Sequence, residues 1–165
     1  MKTAFVAVRA ILYACAFILF FGWLALEARR YDGRIGVALP AALKIPGLLL
    51  MIPSGILALA CIGNFIARGK GTPAPFDPPR VFVAAGPYRY VRNPMYVGGL
   101  AFLAGLALFE GSASILIFAA ILLAAAHLLV ILYEEPDLKE RFGENYAAYL
   151  RSVPRWLPRR PARSS

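Results

Sequence analysis

The chain has 165 residues, 60% of them hydrophobic and 16% charged, with 18 lysines and arginines against 9 aspartates and glutamates, a net charge of +9. A water-soluble domain carries about 25% charged and about 45–50% apolar residues, so this composition excludes an ordinary soluble domain, a disordered chain, a collagen-like repeat and a charge-rich coiled coil. In a soluble protein the basic excess would point to nucleic acid, but in so apolar a chain it points to basic loops on an anionic membrane surface, and no nucleic-acid partner is expected.

Four apolar segments follow one another. The first, residues 4–26, is interrupted only by Arg9, close enough to an end for its guanidinium to snorkel. It exceeds the apolar core of about 7–15 residues in a signal peptide and lacks a small-residue cleavage site before Glu27, so it reads as a span. The second, residues 47–67, contains Pro53, Ser54 and Asn64. A Gly- and Pro-rich loop with Pro73, Pro75, Pro78 and Pro79 then reads as extended and irregular.

The third segment runs over 95–109 and the fourth, after Glu110-Gly111-Ser112, over 115–133. A crossing takes about 20 apolar residues, which the third lacks. It is expected to form a helical hairpin with the fourth. The fold class is therefore all-α, a polytopic membrane helical bundle of about four transmembrane helices in one domain. Residues 1–67 supply two spans, 68–94 a connector, 95–133 the hairpin and 134–165 an amphipathic tail. Thirteen lysines and arginines fall on the side of the N-terminus, the connector and the tail, against four (Arg29, Arg30, Arg34 and Lys44) on the other. That bias places both termini and the connector on the cytoplasmic side of a bacterial inner (plasma) membrane, although the first loop outweighs Lys2 locally. Cys15 and Cys61 read as small core residues, and with one histidine and no zinc spacing no metal is expected.

The unusual polar residues gather at the ends of the hairpin. Its start reads Gly86-Pro87-Tyr88-Arg89-Tyr90-Val91-Arg92-Asn93-Pro94-Met95-Tyr96. Asn93 is expected to cap the helix and Pro94 to open it. The free N–H groups of a helix start, with Arg92 and Arg89 beside them, suit a carboxylate or phosphate. The same residues also read as a capped helix whose arginines rest on lipid headgroups.

The other end reads Tyr133-Glu134-Glu135-Pro136, and the proline predicts a helix break near Glu135. Two carboxylates at a helix C-terminus oppose the dipole, which favours a cationic partner nearby. Their side chains diverge by about 100°, which suggests separate roles. An ion pair with Arg89 or Arg92, or a solvated acidic pair, accounts for them equally. His127 lies seven residues before Glu134, two α-helical turns back on the same face. Leu138, Phe142, Tyr146 and Tyr149 form one stripe of the tail helix, suited to the interface or to covering a site. Glycine-rich nucleotide loops and a G-x-S-x-G elbow are absent from the sequence.

The stretch at 86–96, together with Glu134-Glu135-Pro136, Phe142-Gly143, Tyr146, Tyr149 and Val153-Pro154-Arg155, resembles the integral-membrane methyltransferases of the isoprenylcysteine carboxyl methyltransferase and phospholipid N-methyltransferase group. The resemblance covers roughly residues 72–158. It implies S-adenosylmethionine as methyl donor and an amphiphilic or lipid acceptor drawn from the membrane. By the same analogy Arg80, Val81, Phe82, Val83, Tyr88, Asn93, Pro94, Met95, Tyr96 and Glu134 line the cofactor pocket. The electrostatic argument adds Arg92 for the carboxylate of the donor, and Glu135 and His127 stand as candidate catalytic groups. Two departures argue against a prenylcysteine carboxylate acceptor: Val130 stands where an arginine is expected, and Asn93-Pro94 replaces a histidine–proline pair. A nicotinamide-dependent membrane reductase and a non-catalytic lipid-binding or partner protein are the alternatives.

Overall fold

Where water is excluded, backbone N–H and C=O groups must pair within their own segment, so apolar runs become helices. The structure, a computed structural model describing residues 2–64, 67 and 84–159, contains α1 (Lys2–Arg29), the short α2 (Asp32–Ile35), α3 (Lys44–Asn64), α4 (Pro94–Glu110), α5 (Ala113–Leu129) and α6 (Glu135–Ser152). No strand occurs among the described residues, only a single antiparallel bridge between Ala38 and Ser112. The Gly- and Pro-rich loop and the candidate residues Arg80, Val81, Phe82 and Val83 lie outside the described residues.

Three helical stretches, Val8–Ile35, Ala41–Asn64 and Ala113–Ser152, are long and apolar enough to cross a membrane. Helix α4 is apolar but has 17 residues. At 1.5 Å per residue it reaches about 26 Å, short of a hydrocarbon core of about 30 Å. The expectation of four spans becomes three long helices and one shorter companion.

Helix α4 packs on both α3 and α5, and α1 packs on α5. Glycines set the α3–α4 distance: a Cβ on Gly47 would lie 2.6 Å from the Gly105 carbonyl oxygen. Small residues of this kind let helix backbones approach closely where apolar solvent gives no hydrophobic drive. Ala25, Leu103, Ala107, Ile115 and Ala119 form the buried core. Leu19, Leu59, Ile121 and Leu132 point outward and are more than half exposed, as hydrocarbon-facing side chains are. Cys15 is also exposed among the described residues, which corrects its assignment to the core; Cys61 is buried, and both cysteines are outside any disulfide. Within α3, Pro53 removes one N–H from the ladder without breaking the helix, and the Ser54 hydroxyl donates to the Leu50 carbonyl at 2.7 Å.

The end of the bundle away from the polar cluster is tied by charge. Arg29 pairs with Glu110 at 2.7 Å, and the Ser114 N–H donates to Asp32 at 2.9 Å. Ser112 caps α5 by accepting from the Ile115 N–H at 3.1 Å.

The expected break at Glu135 does not occur. Val130–Glu134 forms a π turn, Glu135 keeps helical angles (φ −65°, ψ −41°), and α5 runs on into α6. Hydrogen bonds reaching five residues back open the turn that the Pro136 ring would crowd, so the proline is absorbed and the helix continues. The wider turn also takes up an extra residue. The seven positions from His127 to Glu134 therefore no longer make two α-helical turns, and the shared face expected for them is lost. The tail helix is itself interrupted at Gly143 (φ 54°, ψ −131°), so its aromatic stripe is divided between two helical pieces.

Candidate active site

The chain turns into α4 through a 3-10 turn at Gly86–Arg89 and the buried Pro94 at the first helical position. Asn93 occupies the N-cap position, but its side chain makes no cap. Its amide donates instead to the Arg155 carbonyl at 3.3 Å, which corrects the expected capping role. A tertiary partner has taken the group that a local bond would have used.

After α6 the residues around Pro154–Arg159 lie across the start of α4. The Arg92 N–H donates to the Pro154 carbonyl at 2.9 Å, and the Arg159 N–H donates to the Tyr90 carbonyl at 2.9 Å. Tyr149, buried on α6, donates its hydroxyl to the Tyr88 carbonyl at 2.7 Å. The Tyr88 side chain meets the Cys61 thiol of α3, and burial above all, with that thiol second, pushes its phenol well above the ordinary tyrosine range.

The two glutamates separate. Glu135 Oε1 accepts from Arg92 Nη1 at 2.8 Å and from Arg155 Nε at 2.8 Å, and its Oε2 accepts from Arg155 Nη2 at 2.9 Å. The Arg92 and Glu135 side chains are only 12% and 14% exposed, so water screens this pair weakly. Hydrogen bonding to Glu135 raises the Arg155 pKa further. Glu134 turns to α4, where it accepts from the Tyr96 hydroxyl at 2.5 Å. It has no cationic partner among the described residues.

Beside this cluster, Trp156 donates its indole N–H to His127 Nδ1 at 3.0 Å. Its ring meets the Tyr96 ring edge-on at 6.3 Å between centroids. Among the residues nominated from sequence, Tyr88, Arg92, Asn93, Tyr96, Glu134 and Glu135 thus gather at one end of the bundle. Met95 sits half-buried in the first turn of α4, and His127 is linked to the group through Trp156. Arg155, Trp156 and the hydroxyl of Tyr149 complete the arrangement without having been nominated. The opposed Arg92 and Glu135 were visible as unlike charges at two facing helix ends, whereas Arg155 was visible only as part of the resemblance and in the basic count of the tail.

Residues 43–145 match the phospholipid methyltransferase family. The chain belongs to that family. The match begins just before α3 and ends within α6, and it includes Arg92, Tyr96, Glu134 and Glu135. Arg155 and Trp156 lie beyond it. No curated protein sequence matches the chain. Membership in a phospholipid methyltransferase family and three membrane-length apolar helices together give the activity class, methyl transfer by a membrane-embedded protein.

Proposed function

We propose that the chain binds S-adenosylmethionine between Arg92 and Glu134 and transfers its methyl group to an amphiphilic, lipid-like acceptor at the cytoplasmic membrane face. The charge layout carries this reading. Two guanidiniums share the single carboxylate of Glu135, which leaves one positive charge in surplus. The Nε of Arg92 is buried with no hydrogen-bond partner among the described residues. Glu134, next to Glu135 on α5's extension, is paired with no cation among the described residues. An unused donor on the positive pole and an uncompensated carboxylate on the negative one fit a zwitterion that bears a further positive centre.

When bound, the donor supplies a sulfonium methyl group that is electrophilic without further activation. The protein then has to align, orient and exclude water, for which the end of an apolar bundle is suited. Arg92 would hold the donor's carboxylate through its free Nε–H. Glu134, held by Tyr96, would face the cationic part, with Tyr88 and Asn93–Tyr96 around it as the resemblance implies. Glu135 has its lone pairs taken up by guanidinium donors, so we assign it to holding Arg92 and Arg155 in place rather than to removing protons. An acceptor carboxylate needs no base, whereas an acceptor amine must be neutral before transfer. His127 accepts from Trp156 at Nδ1, so it can take a proton there only after the indole has moved away.

Calorimetry of the purified protein with S-adenosylhomocysteine tests the reading. Binding is expected, weakened about tenfold or more in both Arg92→Ala and Glu134→Ala, the loss of one charged contact. Absence of binding, or two variants indistinguishable from wild type, overturns it.

A further inference from the structure

Helix α5 carries an open-sided trough of about 460 Å³ lined by Ala120, Leu123, Ala124, His127 and Trp156. The sequence accounts for the hollow: positions 120, 123, 124 and 127 share one helical face, and alanines at 120 and 124 leave it unfilled. Ile117, Ile121 and Leu128 of the same helix are 49%, 60% and 56% exposed, so the trough opens onto the surface that faces hydrocarbon. At its inner end stands the Trp156 indole, fixed by the hydrogen bond to His127 and edge-on to Tyr96, whose hydroxyl holds Glu134. The apolar trough and the polar cluster therefore meet at one side chain.

We propose that the trough seats the hydrocarbon chain of the methyl acceptor and that Trp156 is the positioning residue that stops it, presenting the acceptor's headgroup at Tyr96 and Glu134. The inference rests on the proposed methyl transfer and adds to it where the acceptor lies and what fixes its depth. A bilayer amphiphile reaches the trough sideways without crossing water, and its chain is held there by close packing against the trough wall. An indole suits the boundary, because its apolar ring can stop the chain while its N–H stays paired with His127. Trp156 lies after residues 43–145, the stretch that matches the family.

The test uses the full chain in phosphatidylcholine vesicles containing a little amine-headgroup phospholipid with a diazirine at the end of one acyl chain. After illumination, cross-links are mapped by peptide mass spectrometry. Labelling is expected to concentrate on residues 120–127 and Trp156 and to be displaced by unlabelled amine-headgroup lipid. Ala124→Trp, which fills the trough, is expected to reduce it about tenfold, through loss of the chain's packing contacts with the wall. Ile121→Trp, on the neighbouring face, is expected to retain it. Trp156→Phe keeps the ring and is expected to keep the trough label, while Trp156→Ala is expected to extend labelling to Tyr96. Labelling spread evenly over α1, α3 and α5 and indifferent to Ala124→Trp overturns the proposal, as do cross-links showing a second copy seated in the trough. Calorimetry with S-adenosylhomocysteine on the same samples separates the two readings. Failure of wild type to bind it sinks the methyl-transfer reading, whereas intact binding without trough labelling sinks only the acceptor seat.

Discussion

Arg155 holds Glu135 by a two-pronged contact, Nε to Oε1 at 2.8 Å and Nη2 to Oε2 at 2.9 Å, across twenty residues of sequence. Because Arg92 donates to the same Oε1, the carboxylate is the joint at which the start of α4, the start of α6 and the segment after α6 are fastened.

This joint predicts an order of effects. Arg155→Ala leaves Glu135 paired to Arg92 and is expected to cost about 1–3 kcal/mol, the range for hydrogen bonds to charged groups. Glu135→Gln leaves two poorly exposed guanidiniums without a counter-charge and is expected to cost more, up to about 3–5 kcal/mol. Arg155→Lys keeps the charge but loses the planar fork and should fall between wild type and Arg155→Ala. Thermal unfolding in detergent, followed by circular dichroism, gives the ranking. Equal Tm values for Glu135→Gln and wild type would remove the joint from the account.

Tyr96→Phe removes the one donor that the described residues offer Glu134 and keeps the ring against Trp156. On the proposed reading, S-adenosylhomocysteine affinity is expected to fall about tenfold, because the carboxylate loses its orientation. A double-mutant cycle with Glu134→Gln should show coupling, since the two side chains act through one hydrogen bond. Additive effects on affinity would mean that Tyr96 acts by some other route.

Two glycines of α4 should respond with opposite signs. An added Cβ at Gly105 would meet the Gly47 carbonyl oxygen and the Met51 side chain, each at 2.8 Å, so Gly105→Ala must push α3 and α4 apart, at about 1–3 kcal/mol. A Cβ at Gly99 meets nothing within 4 Å. Gly99→Ala is expected to be neutral or to stabilise by up to about 1 kcal/mol through helix propensity. Comparing the two Tm shifts in one detergent checks both.

Gly143 holds φ 54° and ψ −131° within the tail helix, a conformation that side chains oppose, while its added Cβ would meet no neighbour within 4 Å. The expected cost of Gly143→Ala, about 1–3 kcal/mol, is therefore one of backbone strain alone. A lowered Tm with unchanged helical content at low temperature is the expected signature, and an unchanged Tm would show that the kink relaxes freely.

The helices were legible because their cause is local. A run of apolar residues in a membrane satisfies its backbone only by coiling on itself, so segments read at 47–67, 95–109 and 115–133 reappear as α3, α4 and α5 with shifted ends. The reversal at Glu110-Gly111-Ser112 was legible for a similar reason, as a short polar interruption between two apolar runs. Glu135-Pro136 was misread because a proline normally forbids helix for its predecessor, and nothing in the residue string announces the π turn that accommodates it. Asn93 was misread because capping is the local option, and the carbonyl of Arg155, 62 residues away, outcompetes it.

Sequence alone determined the solvent of this protein, its helical class and the presence of unlike charges at two neighbouring helix ends, since each follows from composition and short-range periodicity. Only the tertiary structure decided which arginines hold Glu135, that Glu134 faces Tyr96, and that Trp156 stands between the trough and the polar cluster. Those pairings join residues 20 to 60 positions apart. They depend on the angle at which the π turn sets the two glutamates and on the path of the chain back over α4. Neither is fixed by the identity of any one residue, because both follow from how the helices pack.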